Sequence, residues 1–324
     1  MAGAHGTRAL GQANTGTTLQ IDVENVVQYI QDVADVSKLA SESNATPAVA
    51  GKNFRPFLVL GDIVAINGRP AKGTVAFHAR QITLASAPTG GQGIADVVRG
   101  NANEQTFEIQ RADGTPVGSI MAAGLGAGTA PPGSPLATAQ GNNAIFGGTG
   151  AFLGVRGQAG RAVTPQDVPD RQASMAEDPA NRRKNGGGKE RFVLHIVPMS
   201  IPAIVNTPQG PAITHSSDFA VVTTAKPAAP GEILSLFATG LGPTHPGVEP
   251  GMPFPTGTLV DVNAPVEVTV NGTPAEVLSA NGYPGGVNAY QLNFRIPSGT
   301  TPGTATIRLS AAWIAGGEAE IAIR

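Results

Sequence analysis

Few side chains in this 324-residue sequence could do acid–base or ligand chemistry, and histidine is the first to consider. The five histidines stand at positions 5, 78, 195, 215 and 245, with no close spacing of the kind that holds zinc. Zero cysteines remove disulfides, thiolate catalysis and cysteine–zinc sites together. His78 and His195 fall in segments that alternate at period two, so each belongs on a strand. His78 then shares a face with Ala76 and Arg80, and His195 with Val193 and Val197. If these strands close into a barrel with those faces inward, His78, Arg80, Glu108 and His195 become candidate pocket residues for ligand binding or weak acid–base work. The competing reading for each histidine is a hydrogen-bonded core or surface residue. No catalytic, cofactor-binding or metal-binding residue is assigned, and no cofactor is expected.

Gly147-Gly-Thr-Gly150 resembles a phosphate loop only in its glycines. A nucleoside triphosphate site also needs a Gly-Lys-Ser/Thr run opening a helix, and here Ala151-Phe-Leu-Gly154 follows, so a turn that lets strands pack closely is the better reading. Arg182-Arg-Lys184 with Lys189 and Arg191 is a basic cluster diluted by Glu177, Asp178 and Glu190. It lacks aromatic interleaving, so a solvated loop is expected rather than a nucleic-acid surface. Asp167, Asp170 and Asp178 lack the spacing of a calcium loop. The single Trp313 reads as a core or edge residue before it reads as a glycan platform.

The elements that must position these residues are short strands. Residues 1–18 read as a flexible tail. Thr18-Leu-Gln-Ile-Asp-Val23 alternates as a strand, while residues 26–40 suit a strand or one helical face equally. Strands follow at 57–66, 73–84, 94–98, 105–110, 116–121, 143–146, 152–161 and 191–198, with turns at Asn67-Gly68 and Asp113-Gly114. Residues 124–140 read as a loop and 164–189 as an insertion too rich in charge, Pro and Gly to build core. Residues 200–212 form a Pro-rich linker. Beyond it, strands at 233–238, 266–270, 275–280, 290–296, 303–310 and 317–323, with Asn271-Gly272 closing a hairpin, have the lengths of a sandwich.

Composition agrees. Gly at 43 and Pro at 27 suit many strands joined by tight turns, and the even rhythm excludes a doubly wound nucleotide fold with crossover helices. Hydrophobic residues are 41% and charged residues 14%, so cores are affordable while the surface is mostly neutral and polar. With a net charge of −2, no global field draws nucleic acid. The predicted fold is therefore all-β: a closed β-barrel or a second sandwich over 19–199, and a β-sandwich over 213–324, each with its own core.

Ala229-Pro-Gly-Glu-Ile-Leu-Ser-Leu-Phe-Ala-Thr-Gly-Leu-Gly-Pro243, Val268-Thr-Val-Asn-Gly-Thr-Pro-Ala275, Tyr290-Gln-Leu-Asn-Phe-Arg-Ile-Pro297 and Pro302-Gly-Thr-Ala-Thr-Ile307 resemble, in order and spacing, the C-terminal module of secreted Solibacter and other acidobacterial proteins. That module is similar to the IPT/TIG-like immunoglobulin domains of plexins and transcription factors. The resemblance implies an immunoglobulin-like sandwich without a catalytic centre, at the end of an exported protein. The start Met1-Ala-Gly-Ala-His-Gly6 has no basic or apolar leader, so an export signal absent from this sequence is expected. Ile145-Phe-Gly-Gly-Thr-Gly-Ala-Phe-Leu-Gly-Val-Arg-Gly157 resembles the central strand–turn–strand of dirigent and allene oxide cyclase-like barrels, which implies an eight-stranded barrel.

Two functions are expected from these readings. The first is a non-enzymatic secreted or cell-surface protein whose sandwich serves as spacer, docking or adhesion module toward a cell-envelope component, glycan or other protein. The alternative is a barrel that binds, steers or rearranges a small apolar molecule. Homo-oligomers are compatible with both, and nucleic acid is expected for neither.

Overall fold

The computed structural model describes residues 16–30, 53–83, 100–126, 138–174 and 177–324. Strands dominate them. The first nine are β1 (Thr17–Ile30), β2 (Asn53–Ile66), β3 (Arg69–Thr83), β4 (Gly100–Arg111), β5 (Pro116–Gly126), β6 (Thr138–Gly148), β7 (Arg156–Ala162), β8 (Arg171–Ser174) and β9 (Gly188–Val197). They form one sheet in the order β2-β3-β4-β5-β6-β7-β9-β1-β8, and β1 also pairs with β2. That pairing closes an eight-stranded antiparallel barrel, with β8 lying parallel beside the end of β1. Closure removes every free edge except the short β8, as a small barrel requires.

Turn chemistry agrees with the sequence. Asn67 and Gly68 take φ 51° and 74° between β2 and β3, the two left-handed residues that a tight hairpin needs. Residues 26–30, ambiguous by pattern, are strand, because β2 pairs with residues 27–30 on one side and β8 on the other. The expected strand at 94–98 and the segment 31–40 lie outside the described residues. The loop expected at 124–140 is shorter, since β5 runs to Gly126 and β6 starts at Thr138.

Inside the barrel, alternate residues are buried: Leu19 and Ile21 on β1, Phe107 and Ile109 on β4, Ile120 on β5, and Phe192, Leu194 and Ile196 on β9. Gly147-Gly-Thr-Gly150 is a turn between strands. A Cβ on Gly148 would lie 2.5 Å from the Phe152 carbonyl oxygen, and Gly150, at φ 60°, would meet the Val117 carbonyl oxygen at 2.4 Å. These glycines let the β6–β7 connection lie flat on β5.

The insertion at 164–189 is a correction to the expectation of a solvated loop. It carries β8, a 3-10 turn at Pro179–Asn181 and a one-turn helix α1 (Arg182–Asn185). Arg182 is only 6% exposed, and with Arg183 it binds Asp62 on β2, while Asn25 donates to Asp62 Oδ2 at 3.0 Å. Burial alone would raise the Asp62 carboxyl, but hydrogen bonds from Arg183 and Asn25 and the charges of Arg182 and Arg183 bring it below its ordinary value. Lys189 and Arg191 pair with Glu24 and Asp22 at 2.7 and 2.6 Å. The basic cluster is thus a clasp that fastens the insertion to the barrel wall. Composition could not show it, because the partner carboxylates come from β1 and β2.

Residues 200–212 hold β10 (Ala203–Ile204), β11 (Asn206–Thr207) and β12 (Gly210–Pro211). The second unit continues with β13 (Ile213–His215), β14 (Ile233–Thr239), β15 (Thr244–His245), β16 (Asp261–Val262), β17 (Val266–Val270), β18 (Thr273–Gly282), β19 (Ala289–Arg295), β20 (Gly303–Ala311) and β21 (Ile314–Ile323). Its main path, β10-β14-β19-β18-β17-β20-β21, curls until Gly317 N–H donates to Pro202 O at 3.3 Å, nearly joining the two ends. Leu292, Phe294 and Ile296 alternate inward and are fully buried. The Pro-rich segment is therefore woven into this sheet through β10, which pairs with β14. Two separate cores were expected, but the buried side chains of both units make one contiguous cluster. Arg69 on the barrel also pairs with Glu267 on the second unit. Among the described residues no helix is long and apolar enough to cross a membrane.

Candidate functional site

The two ends of the barrel differ. At one end the strands are joined by tight turns and face the second unit. From the opposite rim, called the mouth below, leave the connections β1–β2, β3–β4, β5–β6 and β7–β9, the first three of which lie outside the described residues. In barrels and sandwiches alike, long loops on one rim are where binding groups gather.

The sequence-predicted residues do not meet there. On β3 the inward parity belongs to Val75, Phe77 and Ala79, and His78 points out and is exposed. Arg80 is on the same strand opposite Pro56 and Ala102, but its side chain lies outside the described residues. Glu108 sits between the inward Phe107 and Ile109 and is exposed. His195 sits between the inward Leu194 and Ile196; its Nδ1 is 3.0 Å from Thr18 Oγ1, and its Nε2 has no partner among the described residues. For His195 the cause is local: both faces of β9 read as apolar, and a one-residue choice of face sends every side chain to the other side of a strand.

What the inward parity does bring together is a polar arc. Gln105 and Asn103 continue the inner face of Phe107 toward the mouth and are 6% and 5% exposed. Asn103 pairs across Gly124 with Asn143, which is 1% exposed; with no side chain on Gly124, the two amides share one wall. Asn143 pairs with Ala159, and two residues further along β7 stands Arg161. Arg161 Nη1 reaches Glu190 Oε1 on β9 at 2.9 Å. Asp170, from the insertion, hydrogen-bonds Glu190. Burial first, then that hydrogen bond and the nearby Asp170 charge, push the Glu190 carboxyl up to about 9, against the pull of Arg161.

Beside the arc, β2 and β3 supply an apolar wall, with Phe77 next to Gln105 across the β3–β4 pair. Phe57 and Phe77 pack edge to face with centroids 5.8 Å apart, and Val59 and Ala79 are buried beside them. Gln105 Oε1, Asn143 Oδ1 and Asp170 Oδ1 are buried without a hydrogen-bond partner among the described residues. A buried polar atom left unpaired costs roughly 1–3 kcal/mol, so a partner from outside the chain would recover that cost. A carboxamide offers an oxygen or, turned over, an NH₂, so this wall can both accept and donate.

A parity argument could have found these residues. In Asn103-Glu-Gln-Thr-Phe-Glu-Ile109, the face carrying Phe107 and Ile109 also carries Asn103 and Gln105, while Glu108 falls on the other. Glu190, Arg161 and Asn143 gave no such signal, because only closure of the barrel sets them side by side. Among the described residues no three His, Asp or Glu side chains gather as a metal site would require.

Fold and site together define a closed antiparallel barrel with a polar-lined mouth, joined to a second all-β unit. No protein-family model matches the chain, and no curated protein matches it. Among solved structures it is similar to one described as "Pyocyanin demethylase", at 13% identity and a TM-score of 0.29, over 56% of this chain and 98% of that one.

Proposed function

We propose that this chain is a small-molecule-binding barrel protein whose mouth takes a compound with one flat apolar face and one hydrogen-bonding edge. The observation that carries the reading is the pair of buried, unpartnered carboxamide oxygens, Gln105 Oε1 and Asn143 Oδ1, set against the Phe57–Phe77 wall. The apolar face would lie on the two rings, and the edge would bond the amides, with Arg161 and the protonated Glu190 completing the arc. These groups hold hydrogen bonds rather than activate a nucleophile, which supports binding over turnover.

The test is a fragment screen by NMR on the full chain, read at the Gln105 and Asn143 side-chain amides. Planar heteroaromatic amides should shift both sets of signals, and benzene-like fragments without polar edges should bind more weakly. If polar-edged fragments leave both amides unmoved, the reading fails.

The second reading, an exported protein whose C-terminal unit docks to a cell-envelope component, glycan or other protein, is supported by the resemblance to acidobacterial C-terminal modules. The immunoglobulin-like form of that unit rests on the same resemblance, and the dirigent-like reading of the barrel rests on the motif around Gly147. Fractionation of the native host tests the location: recovery of the untagged protein wholly in cytosol overturns it.

A further inference from the structure

A cavity of about 450 Å³ lies at the barrel end opposite the mouth, between the barrel and the second unit. Leu153 and Met199 line it from the barrel side, and Leu241, Val248, Met252 and Val287 from the other. Leu153, Met199, Met252 and Val287 are 59%, 74%, 57% and 52% exposed, so four large apolar side chains border one opening. Clustered exposure of this kind marks a binding surface, whereas scattered exposure does not.

Three polar groups of the wall are already hydrogen-bonded within the protein. Tyr290 O–H donates to Gly242 O at 2.6 Å, Thr244 O–H donates to Pro246 O at 3.1 Å, and Gly240 N–H donates to Asn288 Oδ1 at 3.1 Å. Glu249 is the one charged side chain of the lining, is exposed, and has no ion pair among the described residues. Its carboxylate disfavours an anion. Ala312, also in the lining, and the adjacent Trp313 hold φ 50° and 60°, a left-handed pair that non-glycine residues rarely adopt. That turn swings the buried Ala312 into the wall, where a larger side chain would narrow the space.

We propose that this cleft is a second binding site, for one uncharged apolar small molecule held between the two units. Sites for drug-sized molecules span roughly 300–1,000 Å³, and this cavity falls within that range. The two methionines give the lining the adaptability to fit rings or chains of differing shape. The site shares no residue with the mouth, so the two proposals stand or fall separately.

The test uses the full chain with N-phenyl-1-naphthylamine as the neutral probe and 1-anilinonaphthalene-8-sulfonate as its anionic counterpart. The neutral dye should brighten and bind about tenfold more tightly than the anionic one. Met199→Glu and Leu153→Glu, both at exposed positions, should each weaken the neutral dye about tenfold, because an unpaired carboxylate then faces an apolar wall. Glu249→Gln should strengthen the anionic dye and leave the neutral one unchanged, and Asn143→Leu should change neither. Methionine-methyl NMR of the same samples reports whether Met199 and Met252 move with the dye. Absence of neutral-dye binding, or binding unaffected by both glutamate substitutions, or binding abolished by Asn143→Leu, overturns the proposal.

Discussion

Arg161 Nη1 and Glu190 Oε1 lie 2.9 Å apart just inside the mouth, yet the glutamate keeps its proton far above the ordinary carboxylate range. The groups facing it explain why. Burial penalises the charged form most, and Asp170 and Asp167 add negative charge that Arg161 only partly offsets.

This relationship fixes a pH dependence. Between its ordinary value of 4.5 and its folded value of about 9, Glu190 carries a proton in the folded chain and none in the unfolded one. Stability from this group is therefore full below that window and falls as pH rises through it, by at most about 1.4 kcal/mol per pH unit. Glu190→Gln keeps the shape without the titration. Urea midpoints measured from pH 5 to 9 should decline less steeply for the variant than for the parent chain; parallel curves would show that Glu190 ionises normally.

Asp62 holds Arg182 and Arg183, so Asp62→Ala leaves Arg182 buried without its carboxylate. Loss of one partner from a buried pair costs about 3–5 kcal/mol, reduced here by the exposure of Arg183. Hydrogen exchange should accelerate over residues 177–190 before it does in β4 and β5. Replacing Asp62 by Leu and Arg182 by Met together should recover most of the lost stability.

Asn143→Leu removes a buried, unpartnered oxygen in favour of an apolar side chain of similar size. The variant should match or exceed the parent in thermal midpoint while losing the mouth fragments that shift Gln105. A fall equivalent to about 2 kcal/mol or more would instead make Asn143 a structural residue, since sites kept for ligands commonly sacrifice stability.

Gly150→Ala places a Cβ 2.4 Å from the Val117 carbonyl oxygen in a left-handed conformation. The clash is with backbone, which cannot step aside. A destabilisation of about 2 kcal/mol or more is expected by chemical denaturation, and a neutral outcome would mean that the turn can reshape. Gly257→Ala, with open space around its Cβ, is the control.

Period-two runs such as Leu292-Asn-Phe-Arg-Ile296 and the Asn-Gly pairs at 67 and 271 made the all-β class and the hairpins legible in the sequence. Those signals are local: a strand face and a left-handed turn are set by residues within a few positions of each other. That the first unit packs sheet against sheet was legible too, because 18–23, 57–66 and 105–110 each carry an oily face that only another strand can cover, while barrel or sandwich stayed open on these runs alone. Which face points inward was not legible on β9, where Phe192, Leu194 and Ile196 compete with Val193 and Val197. Closure decided it, and so turned His195 outward and Glu190 inward. The clasp of Arg182 on Asp62, the arc from Asn103 to Asp170 and the cleft between the units belong wholly to tertiary structure. Each joins residues far apart in the chain, and only the register and curvature of the closed sheet bring them within reach.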